Sequence, residues 1–379
     1  MNTMKRLLIL VLVACAQVPL KASCALRGGE KHMRQYSWKS KQNKLFLNDQ
    51  EFRLKGISWN GFESVCNVAH GLWLHSLQNY LDILQDQKFN ALRLPLSFEI
   101  MEELDTIINA DCTTKESEIF PGMTVRQYMG PFLDHLSARG ISVLFDMHTI
   151  DGQITEFPWT DNVSEDRVVA AWVQFAQAFG KHPAVMGFEI KNEPHGDCST
   201  YEFHRHCARV IDSIGDRFAG LYFIDGTTQS STDKPPWGGT FESISRTCAD
   251  DPLCQNILQG RLVFSPHVYG PDVRGDDARM EGDEIFEKRF GFLKYHPFFG
   301  DSAIIVTEFG GHMLEEDGRY FVKWKEYMER VHLSTGAFFW TFPPSSLDTG
   351  GMLDDNWSSV NQGKSHFLTT IQPTPSTIC

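Results

Sequence analysis

The sequence lacks several things that would direct its reading elsewhere. No hydrophobic run is long enough to cross a bilayer as a helix, which takes about 20 apolar residues. The strongest candidate, Leu7 to Val13, is far shorter. Positive charge is scarce: 35 Lys and Arg stand against 48 Asp and Glu, a formal net charge of -13. Such a balance repels phosphate backbones and anionic headgroups, which excludes nucleic acid and the membrane surface as main partners. No internal repeat, low-complexity block or Ser/Thr/Pro-rich linker divides the chain, so one large domain is expected. No His-Glu-x-x-His spacing occurs either. No metal site is therefore expected, although His148 and His267 with Asp146 are the residues a metal would use.

What is present starts at the N-terminus. Lys5 and Arg6, the apolar run Leu7 to Val13, and Ala14-Cys15-Ala16 follow the order of a secretory signal peptide. Cleavage is expected after residue 16, or after 22, where Leu20-Lys21-Ala22 is a second acceptable site. The expected organisation is a signal peptide over 1–22, an N-terminal extension over 23–44, a main domain over 45–368 and a tail over 369–379. A secreted, extracellular protein follows, and a monomer is expected. Of nine cysteines, eight remain if Cys15 leaves with the signal, an even number that suits disulfides in an oxidising compartment. Cys248 with Cys254 and Cys198 with Cys207 would each staple a short loop. Cys24, Cys66, Cys112 and Cys379 would then tie down early loops and the termini. Asn162-Val163-Ser164 and Asn356-Trp357-Ser358 fit the glycosylation acceptor pattern.

Apolar segments that read as strands alternate with longer amphipathic ones, the rhythm of a parallel α/β sheet. The strand candidates are Leu54 to Trp59, Ala91 to Leu94, Ser142 to Met147, Val185 to Ile190, Leu221 to Asp225, Leu262 to Pro266, Ala303 to Thr307 and Ala337 to Thr341. Helical periodicity covers Leu74 to Lys88, Val125 to Arg139, Glu165 to Lys181, Phe203 to Phe218 and Tyr320 to His332. Eight strands with crossover helices is the count that closes a single-domain (β/α)₈ TIM barrel.

In such a barrel the reacting groups stand at the C-terminal ends of the strands. The second strand here ends in Arg93, the third in Asp146 and His148, and the fourth in Asn192-Glu193. The sixth ends in His267 and Tyr269, the seventh in Glu308 and the eighth in Trp340. Strands four and seven oppose each other across the mouth, so Glu193 and Glu308 can meet although 115 residues separate 193 from 308. Two carboxyl groups flanking one bond are what glycoside hydrolysis requires: one protonates the leaving oxygen, the other attacks the anomeric carbon. The two must differ in charge state. Arg93 and the Tyr269 hydroxyl donating to Glu308 would favour its anion, leaving Glu193 to carry the proton. Asn192 can donate to the sugar 2-hydroxyl, and Trp340 offers a face for a sugar ring. Adjacent strand residues point to opposite faces, so both Asn192 and Glu193 can serve the site only through a bulge or twist.

The segments Trp59-Asn60-Gly61-Phe62-Glu63, Asn90-Ala91-Leu92-Arg93-Leu94-Pro95, Asn192-Glu193-Pro194, Ser265-Pro266-His267-Val268-Tyr269 and Thr307-Glu308-Phe309-Gly310-Gly311 resemble glycoside hydrolase family 5. The likeness is greatest to its cellulase-type endo-β-1,4-glucanases and runs from about Leu54 to Trp357. It implies a (β/α)₈ barrel, double displacement, no cofactor, and a β-glucan polysaccharide or oligosaccharide as partner. Glu193 is then acid/base, Glu308 nucleophile, and Arg93, His148, Asn192, His267, Tyr269 and Trp340 fall on the remaining site positions. Lys191 stands where a small or apolar residue is more usual, and Thr341 to Leu347 replaces a segment that usually carries Asn-Pro and a Gly.

The same machinery also serves β-1,3-glucanases, mannanases and xyloglucanases, and fold alone does not choose among them. A different class is a catalytically silent glucan-binding secreted protein. The presence of both glutamates argues against silence.

Overall fold

The computed structural model describes residues 36–231, 233–255, 260–313, 315–372 and 374–378. All eight apolar segments are strands: β1 (Gly56–Ser58), β2 (Ala91–Ser97), β3 (Ser142–Thr149), β4 (Val185–Glu189) and β5 (Leu221–Asp225) come first. Then follow β6 (Leu262–Ser265, resumed as His267–Tyr269 after Pro266), β7 (Ala303–Ile304, resumed as Val306–Gly310) and β8 (Ala337–Phe339). Neighbours pair in parallel, and β8 closes on β1 with Phe338 opposite Gly56. β6 and β7 pair twice, Ala303 opposite Val263 and, nearer the rim, Glu308 opposite His267. The sheet is thus a closed (β/α)₈ barrel.

The main helices are α1 (Leu77–Asp86), α2 (Val125–Ala138), α3 (Glu165–Phe179), α4 (Thr200–Ile214), α5 (Glu315–Arg330) and α6 (Gln362–Ile371). Caps set their starts. Ser76, Thr124, Ser164 and Ser199 each accept a backbone N–H from the first turn. For that reason α1 begins later, and α4 earlier, than apolar periodicity alone indicates. The Ser199–Glu202 capping box outweighs the weak pattern of Thr200-Tyr201-Glu202.

The barrel axis is filled by large side chains set against glycines. A Cβ at Gly56 would lie 2.4 Å from the Phe338 ring, and one at Gly187 2.6 Å from Phe223. An antiparallel sheet of Trp38–Lys41, Lys44–Leu47 and Gln50–Glu51 plugs the end away from the site. Trp38, Leu45, Phe52 and Leu54 pack there on Leu144, Met186, Phe223 and Val263. The stretch before Lys44 therefore contributes a strand, although its few apolar residues read as a polar extension. The tail also returns to this end, where Asn90 Nδ2 donates to the Ser376 carbonyl at 2.8 Å.

Disulfides join Cys66 to Cys112 and Cys248 to Cys254. The expected Cys198–Cys207 bond is absent: both residues are buried thiols. Cys207 lies seven residues beyond Thr200, the first residue of α4. Most of the interval is thus helix and not the short loop it resembles: Cys207 is fixed about 10 Å along the axis from Thr200, at 1.5 Å of rise per residue, while Cys198 lies ahead of the helix. Asn162 and Asn356 are both exposed. The proposed signal segment, Cys24 and Cys379 lie outside the described residues. Among the described residues no helix is long and apolar enough to cross a membrane.

Candidate active site

The rim gathers the polar strand ends into one hydrogen-bonded cluster. Arg93, at the centre and fully buried, donates to Glu189 Oε2 and Glu308 Oε1, each at 2.5 Å, and to Asn192 Oδ1 at 2.9 Å. Its Nη2 also lies 2.9 Å from Asp146 Oδ2. Burial works against a guanidinium, but Asp146, Glu189 and Glu308 outweigh it and fix the charge. The other oxygen of Glu308, Oε2, accepts from the Tyr269 hydroxyl at 2.6 Å. Burial first, and then the charge of Glu308, push the Tyr269 phenol well above its ordinary range, so it remains a donor.

Glu193 reaches the same cavity by a sharp turn. β4 ends at Glu189, and Glu193 has a left-handed backbone (φ 50°) that swings its side chain beside that of Asn192. Its Oε1 lies 2.9 Å from His267 Nδ1, which is also 3.6 Å from Glu308 Oε2. One oxygen of each glutamate and a ring nitrogen of His267 all fall within 4.8 Å of one another. Burial would discharge His267, but Glu308 and Asp225, with Glu189 3.9 Å away and a hydrogen bond to Glu193, hold its pKa well above the ordinary value. The imidazole thus lies between the two carboxyl groups, which favour its charged form.

His148 is different. Burial drives its pKa down to about 3, so it is a neutral ring, hydrogen-bonded through Nδ1 to Asp146 Oδ2 at 2.7 Å. It lies parallel to Trp340, centroids 5.3 Å apart and planes 4° from coplanar. The Trp340 Nε1 donates to Ser346 Oγ at 3.3 Å, within the Thr341–Leu347 stretch singled out above. Asn192 keeps its Nδ2 without a protein partner.

The cavity over these groups has a volume of about 630 Å³ and is lined by His148, Glu193, Tyr269, Glu308 and Trp340. Arg93, Asn192 and His267 lie in the layer beneath. Among the other tryptophans, Trp237 lines the cavity, 48% exposed and stacked on His195 at 3.9 Å. Trp59 is fully buried core, Trp73 packs on Trp357 and Trp159 on His206. His204 and His206, one residue apart on α4, turn to separate acids, Asp251 and Glu165.

Sequence reasoning overlooked Asp225, His195 and the cavity-lining Lys234, Arg274 and Asp277. Asp225 ends the apolar run of β5 just as Asp146 stands near the end of β3, and that signal could have found it. Its Oδ2 accepts from the Glu193 N–H at 3.0 Å. The loop residues carry no comparable pattern.

The profile of cellulase (glycosyl hydrolase family 5) matches residues 47–346. The major extracellular endoglucanase of Xanthomonas campestris is 31% identical over 342 residues, covering 84% of this chain and 67% of that protein. The solved catalytic domain of that endoglucanase superposes with a TM-score of 0.77 at 27% identity, covering 89% of this chain and all of the other. An endocellulase from Pyrococcus horikoshii solved in complex with cellotetraose gives 0.75 at 25% identity, covering 89% and 99%. The chain belongs to the cellulase family, glycosyl hydrolase family 5, and is an O-glycosyl hydrolase.

Proposed function

We propose that the protein is a secreted, retaining endo-β-1,4-glucanase that cuts cellulose or a related β-glucan by double displacement. The observation that carries this reading is the separation of its two glutamates. Carboxyl oxygens within 4.8 Å suit the roughly 5–5.5 Å of retaining enzymes and leave no room for the water that an inverting pair, about 6.5–9.5 Å apart, admits between them.

In this reading Glu308 is the nucleophile. Arg93 and Tyr269 each donate to one of its oxygens, which orients the carboxylate and stabilises its charge in the resting state. Glu193, hydrogen-bonded to His267, passes a proton to the leaving oxygen and later takes one from water. Asn192 has its Oδ1 held by Arg93 and its Nδ2 free, the arrangement needed to donate to a 2-hydroxyl. Trp340 and Trp237 provide flat apolar faces on which glucose rings stack.

The β-1,4 linkage draws support from the endoglucanase relatives and the cellotetraose complex. Secretion draws support from the N-terminal pattern and from the extracellular Xanthomonas relative. Glycans on Asn162 and Asn356, and a monomeric state, belong to the same proposal.

The test has two arms. Reducing-sugar release from carboxymethyl-cellulose should exceed that from laminarin and galactomannan, with internal cuts shown by a rapid fall in viscosity. Glu308→Gln should abolish turnover while oligosaccharide binding persists. Activity retained in that variant removes Glu308 from the nucleophile role, and preference for laminarin or galactomannan overturns the substrate assignment.

A further inference from the structure

One cation in the cluster has no part in this mechanism. Lys191 is completely buried two residues before Glu193, and its ammonium donates to the carbonyl oxygen of Asn192. That carbonyl belongs to the peptide joining Asn192 to Glu193, and this peptide precedes the left-handed residue. The backbone of Asn192 and Glu193 is held at each of its polar atoms. The Asn192 N–H donates to the Met147 carbonyl at 3.0 Å, the Glu193 N–H to Asp225 Oδ2 at 3.0 Å, and the Glu193 carbonyl lies 2.7 Å from His195 Nδ1. Beyond the end of β4 only the Asn192 N–H still finds a strand partner, in β3, and side chains hold the other three atoms.

We propose that Lys191 is a positioning residue for Glu193: by holding the Asn192 carbonyl it fixes the peptide plane that aims the Glu193 carboxyl at the leaving oxygen. This rests on the reading of Glu193 as acid/base. A left-handed backbone is strained for a non-glycine residue and persists only where surrounding contacts impose it. Without the ammonium, the buried Asn192 carbonyl loses its donor, and rotating the peptide relieves both the orphaned oxygen and the strain. Glu193 would then turn away from its position beside His267. The groups facing Lys191 are Asp146 from β3, Asp225 from β5, Glu193 itself and the Cys198 thiol ahead of α4. Burial lowers the lysine pKa to about 8 against the pull of those carboxyl groups, so the clamp is charged at neutral pH.

The experiment compares two substrates on the full chain. Cleaving cellopentaose needs a proton delivered to the leaving oxygen; releasing 2,4-dinitrophenolate from its β-cellobioside does not. For Lys191→Met, kcat/KM on cellopentaose should fall about 10- to 100-fold, while kcat/KM on the dinitrophenyl substrate stays within about threefold. Lys191→Arg, which keeps a charged donor, should recover most of the loss. Equal losses on both substrates, or none on either, overturn the proposal. If Lys191→Met does not fold, Lys191→Gln is read by the same ratio. Glu193→Gln in the same assay separates the two ideas. If it spares the dinitrophenyl substrate and the Lys191 variants do not, only the Lys191 proposal falls. If it loses both equally, the acid/base reading falls too.

Discussion

At the residue scale the site depends on each polar atom having one defined partner. Arg93 serves Asp146, Glu189, Glu308 and Asn192 at once, so its planar fork sets the positions of four side chains. Asn192 shows what such a network leaves free: with its oxygen occupied by Arg93, its amide nitrogen is the unused donor. Asn192→Ala should lower kcat/KM on cello-oligosaccharides by about 10- to 100-fold, the 1.5–3 kcal/mol of a hydrogen bond made in a charged transition state. A 2-deoxy substrate should be insensitive to the change. Equal losses on the 2-hydroxyl and 2-deoxy substrates would show that Asn192 acts only through Arg93.

Much of this was legible in the residues themselves, because a carboxylate, amide or aromatic that ends an apolar run announces a strand tip at the rim. Partners were less legible. That Lys191 turns back to a neighbouring carbonyl, or that His195 supports Trp237, depends on backbone dihedrals after the strand has ended, where no period of two or 3.6 constrains the direction.

At the element scale, the loops after β6 and β7 are joined by an acid pair. Asp272, three residues past Tyr269, faces Asp317 in the first turn of α5, and the Asp272 N–H donates to Asp317 Oδ1 at 3.1 Å. The Oδ2 atoms of both are buried without a hydrogen-bond partner, which one shared proton would supply. Burial, with Asp272 adding to it, pushes the Asp317 carboxyl up to about 7. The sign follows: the fold prefers Asp317 neutral, so this contribution is complete below its ordinary 3.8 and is lost as pH rises through about 7. The buried Lys364 ammonium nearby offsets part of the loss. Asp317→Asn, which keeps a donor for Asp272 and cannot ionise, should flatten the fall in Tm between pH 5 and 8. At pH 8 the difference should amount to up to about 4 kcal/mol. A pH dependence identical to that of the parent protein would mean that the pair does not share a proton.

Elements also mark where local patterns mislead. The strand Trp38–Lys41 alternates buried and half-exposed residues, but Lys39 and Lys41 hide it in a polar stretch. Cys198 and Cys207 have the spacing of a stapled loop, but all of that interval from Thr200 onward is helix. In both, tertiary packing or a cap decided what spacing could not.

At the scale of the whole molecule, the closed barrel makes two distant glutamates neighbours. The hairpin plug and returning tail seal one end with Trp38, Leu45, Phe52 and Leu54, while the charged cluster occupies the other. Stability and chemistry are thereby separated along the barrel axis. The barrel was readable from the count and order of apolar segments, because closing eight parallel strands leaves few alternatives. The central claim is that Glu308 bonds to the sugar while Glu193, across the mouth, serves the leaving group. Incubation with a 2-deoxy-2-fluoro-β-cellobioside bearing a dinitrophenyl leaving group, followed by peptide mass spectrometry, tests it directly. One cellobiosyl adduct on the peptide containing Glu308 is predicted. An adduct on Glu193, or hydrolysis releasing the α-anomer with no adduct, would contradict it.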